Sequence, residues 1–107
     1  KPKFIINISS LEGQFSTKKT NKHPHTNMAK AKMNMLIKTL ENDDDKDLNV
    51  HTIDVGYVTG INNKRDDFPV PVEDAASRVT FPIFMLINNK KLDKKFIKMR
   101  NYEPCEW

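Results

Sequence analysis

The chain is expected to fold as an α/β protein on an open parallel sheet, and three observations carry that expectation. Two short runs rich in β-branched and aromatic residues, KFIINIS (3–9) and LNVHTIDV (48–55), flank the helical stretch TNMAKAKMNMLIKTL (26–40). Strand, helix, strand in that order gives a parallel pair joined by a right-handed crossover. A second helical pattern (72–87) and a third short run, KKFIKM (94–99), repeat the order. Long polar segments follow the first two strands, at the carboxyl ends where open α/β sheets bind ligands.

The first run shows little alternation, as expected of a strand buried on both faces and lying inside a parallel sheet. Residues 11–25 carry Gly13, Lys18, Lys19, Asn21 and Pro24 without helical period and read as a loop. The helix then starts on Thr26 as N-cap, with Ala29, Met33, Leu36, Ile37 and Leu40 as its apolar stripe. Thr26 and Lys30, four apart, share one face of its first turns. The stretch ENDDDKD (41–47) supplies turn-forming residues that end it.

Gly56 closes the second strand, and residues 57–71, with Gly60, Asn62, Asn63, Pro69 and Pro71, form a second long loop. In the helix over 72–87, Ala75, Ala76, Val79, Ile83 and Leu86 recur at helical spacing, and Glu73 and Asp74 complement the dipole of the first turn. Pro82 predicts a kink or an early end there. The tail RNYEPCEW has no clear period, and Tyr102 and Trp107 are expected to cover an apolar edge.

The 107 residues amount to one domain or part of one. The chain opens on Lys1 and Pro2 and passes straight into a strand that would be an unpaired apolar edge if nothing preceded it. Residues 1–107 therefore read as a single partial domain. No apolar run approaches the roughly 18 residues of a membrane span, no targeting segment is visible, and the single cysteine, Cys105, cannot form an internal disulfide. The expected location is the cytoplasm. The net charge of +4 permits weak attraction to polyanions, but the lysines are scattered and opposed by Asp43, Asp44 and Asp45. That pattern is a solvated surface, with no nucleic-acid interface and no membrane contact. His23 and His25 lie in a loop far from Cys105, so no metal site is expected.

Taken together, NISS with Gly13, then HTNMAKAKMNMLIKTL, then HTIDVGYVTG, DAASRV and KFIKMRNYEPCEW resemble the carboxyl-terminal half of a short-chain dehydrogenase/reductase. The resemblance spans nearly the whole chain. It implies the second half of a doubly wound, Rossmann-like domain and, by extension, an NAD- or NADP-dependent oxidoreductase acting on a carbonyl or alcohol.

The family's catalytic serine matches Ser10 and its lysine matches Lys30, while the position of its tyrosine holds Thr26. In such a site the serine orients the substrate carbonyl, the tyrosine passes the proton, and the lysine lowers the tyrosine's pKa and bonds the nicotinamide ribose. An aliphatic hydroxyl is far too weak an acid for the tyrosine's task. His25 is the alternative proton donor, since imidazole titrates in the right range. The cofactor contacts implied are Lys30, Gly56 and Thr59, although Val55 replaces the family's proline and Thr59 falls one residue early. The glycine-rich turn that holds the pyrophosphate is not in this sequence, so the isolated chain is expected to be inactive. The resemblance further implies a homodimer through helix 26–40, or a non-catalytic relative that keeps the fold for binding or assembly.

Overall fold

The computed structural model describes residues 1–58, 70–90, 98–100 and 103–104. Their order is β1 (Lys3–Ser9), a single 3-10 turn (Leu11–Gly13), α1 (Pro24–Leu40), β2 (Leu48–Asp54), α2 (Val72–Ile87), β3 (Lys98–Arg100) and β4 (Glu103–Pro104). The strands form one sheet in the order β1-β2-β3-β4. β1 and β2 are parallel along their whole length, from Lys3 beside Leu48 to Ser9 beside Asp54. β3 continues the parallel arrangement beside Thr52 and Ile53, and β4 turns back antiparallel to β3. The chain is thus α/β with an open sheet, mixed rather than wholly parallel because the tail contributes its own short strand. Of the expected third strand, residues 94–97 lie outside the described residues, as do Tyr102 and Trp107.

β1 is the edge of this sheet, not an interior strand. Its apolar side chains are accordingly half open: Ile5 is 40% and Ile8 48% exposed. β2 is the true centre, with every residue from Val50 to Asp54 buried. Side chains alternate across a strand, and the two faces of β2 meet different helices. Val50 packs with Ile37 and Leu40 of α1, whereas Ile53 packs with Phe81 of α2 and Ile6 of β1. The helices therefore cover opposite faces. Both connections step the same way across the sheet, so they have opposite hands, and one of them departs from the usual right-handed form.

The N-cap of α1 lies three residues earlier than the sequence suggests. His23 occupies the N-cap with φ 58°, in the left-handed region, and Pro24 takes a first-turn position where its missing N–H costs nothing. Thr26 is therefore inside the helix and caps nothing. The buried face of α1 also differs from the apolar stripe: only Asn34 and Ile37 are buried, while Ala29, Met33 and Leu36 are exposed. Hydrogen bonds explain the rotation. Asn34 donates to the Gly13 carbonyl at 3.1 Å and accepts from Asn7 Nδ2 at 3.2 Å, and Asn7 reaches Thr52 Oγ1 at 3.3 Å. A buried amide with partners on the loop and on β1 draws that side of the helix inward, because those groups would otherwise be desolvated without partners.

α2 passes through Pro82 and continues to Ile87, so the expected early end does not occur. Proline removes one donor from the ladder, but the ring is buried, and packing compensates for the lost bond. The loop 57–71 is described only at its ends, where Val58 and Val70 form a parallel bridge and Val70 N–H donates to Tyr57 O at 2.6 Å.

Candidate functional site

The carboxyl ends of β1 and β2 open into a cleft of about 460 Å³. Ser10, Leu11 and Glu12 line it after β1, Asp54, Gly56, Tyr57 and Val58 after β2, and Thr26 from the first turns of α1. Of the residues expected to act together, the fold brings Ser10, Thr26 and Gly56 to one cleft.

The other expected residues stand elsewhere. Lys30 does not line the cleft, and its Nζ donates to the Ile8 carbonyl at 3.0 Å. Helical spacing puts Thr26 and Lys30 on one face, but the ammonium finds the end of the edge strand first. His25 is exposed and sets its ring edge-on to His23, with centroids 6.3 Å apart. Thr59 lies outside the described residues. Among the described residues no group of three His, Cys, Asp or Glu is arranged to hold a metal.

Ser10 follows β1 in extended backbone, φ −159°. Its Oγ is shielded from solvent and stands beside Glu12 without a well-formed hydrogen bond. That neighbouring hydroxyl is the first of the influences holding the Glu12 carboxyl below its ordinary pKa, followed by the Glu12 backbone N–H and the charges of Lys19 and His23. Lys19 also ties down the turn, donating to the carbonyls of Leu11 and Glu12 at 2.8 and 2.9 Å.

The far wall is set by Asp54. Its Oδ1 accepts from Gly56 N–H at 2.9 Å and its Oδ2 from Gln14 Nε2 at 3.3 Å. Gly56 has φ 79°, a conformation that a side chain opposes. Arg78 holds the same corner from α2, donating to Val55 O at 2.9 Å and to Asp74 at 3.2 Å. Glu12, Asp54 and Tyr57 were not among the residues singled out from the sequence. Asp54, a carboxylate at a strand's end two residues before a glycine, carried the one signal that points to such a corner.

No protein-family profile matches this chain. No solved structure matches it either. It is 32% identical over 117 aligned residues to uncharacterized protein R665 of Acanthamoeba polyphaga mimivirus, a match taking in 95% of this chain and 24% of the relative. The chain thus spans about a quarter of the relative's length. No helix among the described residues is long and apolar enough to cross a membrane.

Proposed function

We propose that this chain is the carboxyl-terminal portion of a Rossmann-like oxidoreductase of the short-chain type, which moves hydride between NAD or NADP and a carbonyl or alcohol. The observation that supports the reading is convergence: Ser10, Thr26 and Gly56, separate in sequence, line one cleft at the ends of two parallel strands. The residues present do not fit the whole dinucleotide. None of the described residues that line the cleft is basic, and Lys30 is engaged by Ile8. The glycine-rich turn that would hold the pyrophosphate is not in this sequence, so on this reading the 107-residue chain alone turns nothing over.

The test is to purify the larger protein that contains this chain and follow NADH and NADPH consumption with a panel of aldehydes and ketones. Turnover that Ser10→Ala lowers by roughly 100-fold is expected. Absence of any NADH or NADPH binding by fluorescence titration would overturn the reading.

Thr26 in the proton donor's place and the bond from Lys30 to Ile8 favour a second reading: a non-catalytic relative that keeps the fold for binding or assembly. The flanks of α1 suit assembly with a second copy, with Met28 71%, Met35 61% and Leu36 47% exposed. Sedimentation of the chain decides that point, since a monomer at high micromolar concentration counts against pairing through α1.

A further inference from the structure

Away from the cleft, α1 and the chain that follows Gly13 enclose an apolar groove. Phe15, 85% exposed, borders two hollows that share Gly13 and Ala31. One, about 300 Å³, reaches Met28 and Lys19; the other, about 210 Å³, reaches Met35 and Lys38. Met28 and Met35 are 71% and 61% exposed and stand about two helical turns apart. Unbranched, polarizable methionines adapt to the shape of a partner. All the bordering residues lie between Glu12 and Lys38, within the described chain.

The groove runs through the most basic part of the molecule. From Gly13 to Leu40 the sequence has six lysines and no Asp or Glu, although the whole chain carries only +4. Lys19 marks one end of the groove and Lys38 the other. Lys32 is exposed, four residues after Met28 and three before Met35, which makes it a neighbour of both on the helix surface. The Lys19 ammonium is fixed there by the carbonyls of Leu11 and Glu12 at 2.8 and 2.9 Å. Glu12, at the Lys19 end, is the one carboxylate among the bordering residues. The acids that follow α1 are turned toward β1: Asp45 pairs with Lys3 at 2.7 Å and Asp47 with the amino terminus at 3.4 Å.

We propose that this groove docks an acidic amphipathic helix of a partner protein, whose apolar side chains fill the hollows on the two sides of Phe15 while its Asp and Glu residues face Lys19, Lys32 and Lys38. The shape favours a helix, because the hollows follow one another along α1 at the spacing of anchors at i, i+4 and i+7 on one helical stripe. The charge favours an acidic one. A second copy is a poorer occupant, since it would set this basic stretch against itself. A lipid surface has no knobs to fill two hollows, and a nucleic-acid strand stacks on several aromatics where this groove has Phe15 among its bordering residues. The inference rests on neither functional reading, since a catalytic and a non-catalytic chain would carry the groove alike.

The test is fluorescence anisotropy of a labelled helical peptide with Leu at i, i+4 and i+7 and Glu on its polar flanks, titrated with the full 107-residue chain. The same peptide with Lys in place of every Glu is the comparison. The acidic peptide is expected to bind saturably and at least about tenfold more tightly than the lysine form. Its affinity should fall about fivefold or more in Phe15→Ala and in Lys32→Glu. Both side chains are exposed, so both variants should keep the wild-type denaturation midpoint. No saturable binding up to about 1 mM chain, equal affinity for the lysine peptide, or no loss in either variant overturns the proposal. So does tighter binding of phosphatidylserine vesicles or of a single-stranded RNA that Phe15→Ala abolishes. Sedimentation as a dimer that Phe15→Ala returns to monomer would give the groove to a second copy and overturn it equally.

Discussion

Lys30 extends its ammonium to within 3.0 Å of the Ile8 carbonyl oxygen, joining the first turns of α1 to the end of the edge strand. That carbonyl is near the strand's carboxyl end, where β1 gives way to the turn that carries Glu12. The bond therefore helps set how far α1 stands from the cleft. It also ties up the one lysine that the resemblance would assign to cofactor binding.

Gly13 lies against this same stretch of helix. A Cβ at that position would stand 2.8 Å from Asn34 Nδ2 and 2.8 Å from Lys30 Cβ, inside contact distance. Gly13→Ala is expected to push α1 outward and cost about 1–3 kcal/mol. Chemical denaturation compares it with the wild type, and an unchanged midpoint would mean that the turn yields freely.

Asn34 links Gly13 O to Asn7, and Asn7 to Thr52. Asn34→Leu removes a donor and an acceptor while leaving the Gly13 carbonyl and the Asn7 amide buried without that partner. The expected loss is about 2 kcal/mol. Changing Asn7 and Asn34 together should cost less than the two single losses added, because the pair shares one bond. Additive losses in the double-mutant cycle would contradict the network.

Ile37 and Leu36 are sequence neighbours with opposite surroundings, at 1% and 47% exposure. Ile37→Ala is expected to cost about 2–5 kcal/mol through lost burial and the cavity left behind. Leu36→Ser should change stability by less than about 1 kcal/mol. A larger loss at 36 than at 37 in thermal unfolding would show that the helix docks on its apolar stripe after all.

His51 is buried on the α2 face of β2, and its Nδ1 has no hydrogen-bond partner. Burial lowers its pKa from 6.5 to about 4. The folded state thus resists a proton that the unfolded state accepts from about pH 6.5 downward. The stability linked to this residue is complete above that value and declines as pH falls toward 4, by at most about 3 kcal/mol. In His51→Phe, the slope of unfolding free energy between pH 6.5 and 4 should flatten. An unchanged slope would assign the acid sensitivity to other groups.

Much of the element order can be read in the sequence because it rests on local chemistry. The β-branched runs 3–9 and 48–54 form strands, the helix expected over 26–40 forms with an earlier start at Pro24, and Glu41 to Asp47 holds the turns that lead out of it. The boundaries of α2 agree as well, even with Pro82 inside it, since its periodicity outweighs one missing donor. The candidate site was legible in part. Ser10, Thr26 and Gly56 meet, whereas Lys30 and His25 turn elsewhere, and the side chains that give the cleft its charge lie in segments without period.

The sequence by itself determined the α/β class and the parallel pairing of β1 with β2, because residue period and turn chemistry act over a few residues. Only the tertiary structure decided that β1 is an edge, that α1 and α2 cover opposite faces, and that α1 buries Asn34 instead of Met33 and Leu36. The physical reason is that a helical wheel records which residues are apolar, while the docked face is selected by partners far along the chain. Here those partners are Asn7 and Gly13, and a buried amide with its hydrogen bonds made outweighs an apolar stripe left in water.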